Sequence, residues 1–459
     1  MFKKILVANR GEIAVRIIRA CKELNIPTVA IHSDVDKDAM HVRLAEESIC
    51  IGSHKPQNSY LNTAAIMTAA DVTGADAIHP GYGFLSENFH FAEIVTKSKI
   101  KFIGPSSEIM KKMGDKIEAK RTAKKLGLPI IEGSEGNIKS LDEAKEISSN
   151  IGYPVLIKAS AGGGGRGMRV VTRKEELDKA ILAAQLESRT VFGSDRVYLE
   201  KFFVDPRHIE IQVLADAHGH VIHLGERDCS VQRRYQKLVE ESPSPAVDGS
   251  LRQEMGKAAV RAVKSVGYRN AGTVEFLLDQ NRKFYFMEVN TRIQVEHPIT
   301  EMVTGIDIIK EQIRISSGLP LTIRQKDVRL IGHSFECRIN AECSDTFIPS
   351  PGPVPRFYPP GGPGIRVDTA MESPGYVDPS YDSMIAKLIS YGRDREEALA
   401  RAQRGLDEFV IEGIKTTVPI LRLILSDPDF QKGRVSTGSV SYTHLRAHET
   451  SLHLVCRLL

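Results

Sequence analysis

Short apolar runs alternate with helically spaced apolar positions over the first hundred residues. Ile5 to Ala8 has strand length. Ala14, Ile17, Ile18, Cys21 and Leu24 then recur three and four apart, which predicts one buried helix face ending before Pro27. Thr28-Val29-Ala30-Ile31 restarts a strand, Ala77-Ile78 runs into the turn His79-Pro80-Gly81-Tyr82-Gly83, and Lys101-Phe102-Ile103 supplies another strand before Gly104-Pro105. Strand, helix, strand in this order predicts a parallel α/β sheet. The turn Asn9-Arg10-Gly11-Glu12 holds one glycine where a dinucleotide fingerprint needs three, which argues against a nicotinamide cofactor.

A second region opens near Gly114-Asp115-Lys116. It carries the strand Val155-Leu156-Ile157-Lys158, the loop Gly162-Gly163-Gly164-Gly165-Arg166-Gly167 and the alternating run His208-Ile209-Glu210-Ile211-Gln212-Val213. A third region follows Gly318-Leu319-Pro320, and its Pro/Gly-dense stretch from Pro349 to Gly364 reads as turns and edge connections. From Ser441 to Leu459 the chain changes character, with no lysine and with His444, His448 and His453. His444 and His448 are spaced to share a helix face, but only Glu449 is at hand to support them, and a metal site is not expected there.

Composition narrows the class. At roughly 150 residues per domain, 459 residues suggest about three domains. Lys+Arg number 62 against 58 Asp+Glu, a net charge of +4, so no nucleic-acid footprint follows. Hydrophobic residues at 41% exclude intrinsic disorder. The longest apolar runs are too short to span a membrane and the N-terminal run too brief for a signal peptide, so no membrane association and a cytoplasmic location are expected. Six widely spaced cysteines are expected to be free thiols.

The strongest chemical signal is the glycine loop placed directly after a strand ending in Lys158. Four consecutive glycines let backbone N–H groups converge on phosphate oxygens, with Lys158 and Arg166 adding charge; an ordinary surface loop is the alternative. Lys116 is placed to converge on the same polyphosphate. Glu275 and Glu288 lie in two apolar strands around the turn Asp279-Gln280-Asn281-Arg282-Lys283, hairpin neighbours that read either as ligands of Mg²⁺ or as solvent-facing acids. Asn290 shares the strand face of Glu288. In the string Asn290 to Pro298, Arg292 suits a planar oxyanion and Glu296 a base. The cluster from Glu226 to Lys237 reads as too charged for a buried strand, and Arg338 is a charge in an apolar stretch.

Four motifs give the chain a resemblance to biotin carboxylases of the ATP-grasp superfamily: Ala8-Asn9-Arg10-Gly11-Glu12-Ile13-Ala14, His79 to Asn88, Lys158-Ala159-Ser160 with the glycine loop, and Glu288 to Pro298. The resemblance covers about Lys4 to residue 435. It implies mixed α/β and α+β architecture: a Rossmann-like N-terminal domain (1–113), an ATP-grasp core (114–318) with a glycine-loop lid at about 131–203, and a C-terminal domain (330–440), followed by the atypical tail 441–459. It implies that ATP activates bicarbonate as carboxyphosphate and that biotin is then carboxylated. By position, Lys116, Lys158, Gly163, Gly164, Gly165, Glu200, Lys201, His208 and Gln232 resemble ATP contacts, with Glu275 and Glu288. Glu275, Glu288 and Asn290 resemble Mg²⁺ or Mn²⁺ ligands. Lys237, Arg292, Gln294, the Val295 backbone N–H and Glu296 resemble the bicarbonate pocket, with Glu296 as base; Arg338 and Tyr82 resemble biotin contacts.

The family further implies a biotin carboxyl carrier protein and carboxyltransferase subunits as partners, no biotinylated segment being present here, and a homodimer with Arg19, Glu23 and Arg366 at its interface. Acetyl-CoA carboxylase and fatty acid synthesis are the expected setting; a propionyl-CoA or pyruvate carboxylase, another ATP-grasp ligase, and a silent nucleotide-binding scaffold are the alternatives. Tyr235 stands where the best-known relatives carry His. Removing Ser441 to Leu459 is expected to leave ATP turnover unchanged, and a large loss on truncation would refute that.

Overall fold

Ile5–Val7 (β1) is apolar at every position and buried on both faces, as a central parallel strand requires. The structure, a computed structural model, describes residues 1–160 and 168–440. β1 pairs in parallel with Thr28–Ser33 (β2) and Ala77–His79 (β4). Glu47–Gly52 (β3) and Lys101–Phe102 (β5) complete a five-stranded parallel sheet of order β3-β2-β1-β4-β5. The helix Gly11–Glu23 buries Ile13, Ala14, Ile17, Ile18 and Cys21, the face that the periodicity predicts. Chain order reverses between β1 and β4, and the loops leaving their carboxyl ends meet there. Asn9 Nδ2 donates to the carbonyls of Pro80 and Tyr82 at 2.7 Å each. Gly81 allows this approach: its φ is +62°, and a Cβ would stand 3.0 Å from Asn9 Nδ2.

Val155–Ala159 (β6), Arg169–Val171 (β7) and Val197–Lys201 (β8) form a separate antiparallel sheet, backed by the helices Leu141–Ile151 and Leu177–Phe192. Its small core includes Ala144, Val155, Ile157, Ile181 and Leu199. The candidate residues Gly163, Gly164, Gly165 and Arg166 lie outside the described residues, as does the tail from Ser441.

The largest sheet contains Arg207–Ala215 (β9), Val221–Arg233 (β10), Gln236–Ser242 (β11), Asn270–Leu278 (β12), Phe284–Asn290 (β13) and His333–Asn340 (β14). The Pro/Gly-dense stretch gives only Gly352–Val354 (β15) and Phe357–Tyr358 (β16). Ile365–Thr369 (β17), Gly375–Val377 (β18), Met384–Gly392 (β19) and Val410–Ile411 (β20) follow. Eight strands join in the order β13-β12-β9-β10-β11-β14-β19-β17, so one sheet runs across the expected division between the second and third regions; β15 pairs β18 and β16 pairs β20 apart from it. Alternation sorts the faces of β9. Ile209, Ile211 and Val213 pack with Val263 and Met255 of the helix Gly249–Ser265, which leaves His208, Glu210 and Gln212 on the other face.

The expectation that Glu226 to Lys237 is too charged for a buried strand is wrong. β10 is buried over almost its whole length, with Glu226 and Arg227 fully enclosed and Asp228 nearly so. Each charge has a partner: Glu226 takes Arg252 at 2.6 Å, Arg227 takes Glu210 at 2.5 Å, and Asp228 takes Arg207 at 3.0 Å. The hairpin to β11 closes through Arg234 and Tyr235, both at positive φ (48° and 66°), between the paired residues Arg233 and Gln236.

Candidate active site

A cavity of about 1050 Å³ opens where the parallel sheet, the small sheet and the large sheet meet. Its wall contains Tyr82, Lys116, Lys158, Glu200, Lys201, His208, Gln232 and Lys237. Glu275, Glu288, Asn290, Arg292, Gln294, Val295, Glu296 and Arg338 complete the set, so all the sequence-predicted site residues that the structure describes converge there.

At one end lie the lysines. Lys116 opens the helix Lys116–Lys125 and places Nζ 3.5 Å from Glu288 Oε2. Lys158 on β6 reaches Glu200 on β8 at 2.6 Å, and Lys120 reaches the other Glu200 oxygen at 3.2 Å. Burial opposes the Lys158 charge, but Glu200 raises its pKa above the usual lysine range. A polyphosphate entering between Lys116 and Lys158 would find two ammonium groups held by carboxylates. Lys201 differs from the others: its ammonium turns back to the carbonyls of Gly152 and Tyr153, at 2.9 and 3.2 Å.

The hairpin glutamates face each other. Glu275 on β12 is the register partner of Glu288 on β13. Asn290 Nδ2 and Gln294 Nε2 each donate to Glu275 Oε1 at 2.8 Å, and His208 Nε2 lies 3.1 Å from Oε2. Burial opposes ionisation of Glu275, yet Lys237 and His208 hold its pKa well below the carboxylate range. Glu275, Glu288 and the Asn290 amide are hard oxygen donors on one hairpin, a set that fits Mg²⁺ or Mn²⁺. His208, Glu210 and Glu275 also gather within 4.8 Å, but Lys237 and Arg227 already neutralise that group.

Glu296 is the centre of the other end. It immediately precedes the helix His297–Thr304, makes no side-chain hydrogen bond to it, and is 2% exposed. Lys237 Nζ on β11 lies 2.5 Å from its Oε1, and Arg338 Nη2 on β14 lies 2.9 Å from its Oε2. Burial pushes against the charge, but Lys237, Arg338 and the more distant Arg227 hold Glu296 well below the usual range, so it is ionised. Lys237 also contacts Glu210 at 2.8 Å. Arg292 reaches Glu87 at 3.0 Å and Asn290 Oδ1 at 3.2 Å. Tyr82, beside this end, donates its hydroxyl to Glu12.

The sequence reading missed Glu210, Arg227, Glu240 and Lys387. Arg227 binds Glu210, Gln212 at 2.7 Å, Gln294 at 2.8 Å and Thr300 at 3.0 Å, and so fixes Gln294 from behind. Lys387, fully buried on β19, holds the Val295 carbonyl at 2.8 Å. The polar alternation His208, Glu210, Gln212 within an apolar strand was the available signal for Glu210.

Lysines set for phosphate and paired acids set for a divalent cation define an ATP-dependent ligase. Family profiles agree along the chain: "Biotin carboxylase, N-terminal domain" matches residues 1–110, "Carbamoyl-phosphate synthase L chain, ATP binding domain" 115–324, and "Biotin carboxylase C-terminal domain" 336–442. Biotin carboxylase 1 of Bacillus subtilis is 57% identical over 440 residues, 95% of this chain and 98% of that protein. Among solved structures, the biotin carboxylase domain dimer of Hydrogenobacter thermophilus 2-oxoglutarate carboxylase, with MgADP and bicarbonate, superposes with a TM-score of 0.94 at 50% identity, covering 96% and 98%. The crystal structure of the biotin carboxylase subunit of pyruvate carboxylase superposes with a TM-score of 0.83 at 52% identity, covering 98% and 99%. The chain belongs to the biotin carboxylase family.

Among the described residues no helix is long and apolar enough to cross a membrane. None of the five described cysteines is disulfide-bonded.

Proposed function

We propose that this chain uses ATP, Mg²⁺ or Mn²⁺ and bicarbonate to carboxylate biotin presented by a separate carrier protein. The observation that supports it best is the placing of Glu296 between Lys237 and Arg338, where the phosphate end of the cavity meets the end lined by Tyr82. Lys116 and Lys158 bind the ATP phosphates; Glu275, Glu288 and Asn290 hold the divalent ion, which when bound screens phosphate charge. Bicarbonate sits against Arg292, Lys237, Gln294 and the Val295 N–H. As the anion takes up Lys237 and Arg292, Glu296 is released from its clamp, becomes more basic and accepts the bicarbonate proton. The bicarbonate oxygen attacks the γ-phosphorus and ADP leaves, giving carboxyphosphate, which breaks to CO₂ and phosphate. Phosphate takes the ureido N–H proton of biotin, Arg338 holds the resulting oxyanion, and the nitrogen attacks CO₂.

ATP hydrolysis by the purified chain is expected to need bicarbonate and to rise with millimolar free biotin. A rate indifferent to both, or one raised by ammonia instead, would overturn this reading. We assign the domain division 1–113, 114–318 and 330–440 to these roles, with 131–203 as the lid. Acetyl-CoA carboxylase is the proposed setting. The 2-oxoglutarate and pyruvate carboxylases among the structural neighbours favour a keto-acid carboxylase as a second setting, and adding each acceptor with its cognate transferase separates the two. The dimeric H. thermophilus neighbour supports a homodimer here. Arg19 and Glu23 on the helix Gly11–Glu23 face outward, Glu23 pairing with Lys310, while Arg366 is paired with Glu301 and Asp368, each at 2.8 Å.

A further inference from the structure

Arg338 is held from behind by acids for which the reaction above has no use. Glu240 on β11 and Glu336 on β14 are register partners, so their side chains share one face of the sheet, and Arg338, two residues beyond Glu336, shares it too. Both glutamates are fully buried. Glu240 spends Oε1 on Arg338, 2.6 Å from Nε and 2.5 Å from Nη2. Its Oε2 and both oxygens of Glu336 hydrogen-bond to nothing among the described residues.

The surrounding charges do not balance. Arg338 is shared with Glu296, and Lys237 on β11 is taken by Glu296 and Glu210. Lys387, the register partner of Arg338 on β19, lies 3.1 Å from Glu12 and 3.9 Å from Asp368. The helix His297–Thr304 packs across β14 and brings His297, kept neutral by burial, and Glu301, tied to Arg16 and Arg366. Tyr82 is committed to Glu12, and burial keeps Cys229 and Cys337 protonated. Glu336 forms no ion pair among the described residues. An ionised carboxylate enclosed without a hydrogen bond is too costly to persist, and such a group keeps a proton instead. Burial accordingly pushes Glu336 well above the carboxylate range and, against the pull of Arg338, Glu240 up to about 7.

We propose that Glu240 and Glu336 hold one proton between them and act as a positioning pair that keeps the Arg338 guanidinium aimed at the reacting oxygen of biotin. This rests on, and deepens, the function proposed above. With the proton in place, Glu240 balances one edge of the guanidinium and leaves the rest to the substrate. When the proton is lost, the added negative charge draws Arg338 back and the biotin oxyanion loses its partner. Glu336, the member without a partner among the described residues, carries the proton; burial raises its pKa, so the competent form persists above the ordinary carboxylate range and is lost as pH rises through that raised value.

The test compares biotin-stimulated with basal, bicarbonate-dependent ATP turnover across pH, in the parent and in Glu336→Gln, a neutral isostere that cannot ionise. The parent ratio is expected to fall with rising pH, approaching about tenfold per unit on the alkaline side, and the variant ratio to stay flat. Identical profiles would overturn the proposal, as would a parent ratio independent of pH. Infrared spectroscopy of the unmodified protein at neutral pH gives a second measurement should the variant not fold. A buried protonated carboxyl band that titrates with the same midpoint supports the pair, and its absence refutes it. Loss of bicarbonate-dependent turnover in the parent itself would instead count against the function.

Discussion

Replacing Glu296 by Gln is expected to lower bicarbonate-dependent ATP turnover by about 10²–10⁴-fold while nucleotide binding persists. The amide keeps the shape but can neither accept the bicarbonate proton nor match the ammonium of Lys237 at 2.5 Å. The proposed ATP contacts, Lys116 and Lys158, stand at the other end of the cavity, paired with Glu288 and Glu200 rather than with this group. Calorimetric titration with a non-hydrolysable ATP analogue separates the two effects. Unchanged turnover would remove Glu296 from the chemistry, and parallel loss of binding would mark a folding defect.

Replacing Arg227 by Met is expected to cost about 3–5 kcal/mol, read as a lowered urea midpoint. The arginine is fully buried and balances Glu210, so the variant leaves that carboxylate with Lys237 alone. It also removes donors from Gln212, Thr273, Thr300 and Gln294. The double variant with Glu210→Gln is expected to recover part of the loss, because the unbalanced charge goes with it. A single variant as stable as the parent would show that the network contributes nothing net.

These two residues also mark what the sequence can and cannot disclose. Glu296 was legible because it stands in a long, specific string, and the strand and helix periods near the N-terminus were legible because burial there is one-sided or complete. Arg227 was not. Its partners lie from 15 to 73 residues away on other strands and a helix, so a run of charges on β10 reads as solvated until the neighbouring strands are known. Glu240 and Glu336 were hidden for the same reason: a lone acid in a strand carries no local sign that another acid opposes it across the ladder. The continuity of the large sheet was equally silent, since the connection between Gly318 and His333 looks like a boundary.

That continuity bears on how the catalyst is held together. β11 and β14 pair from Val239↔Cys337 to Ser242↔Ser334, so the strand bearing Lys237 and the strand bearing Arg338 are stitched by backbone hydrogen bonds. Cutting the chain between β13 and β14 would bare a row of unmet N–H and C=O groups on each side, edges that recruit any strand they meet. The polypeptide is therefore not a nucleotide module joined to a biotin module by a hinge. The span from Lys237 to Arg338 is a gauge set by strand spacing, two residues beyond the last rung of that ladder on one strand and one on the other.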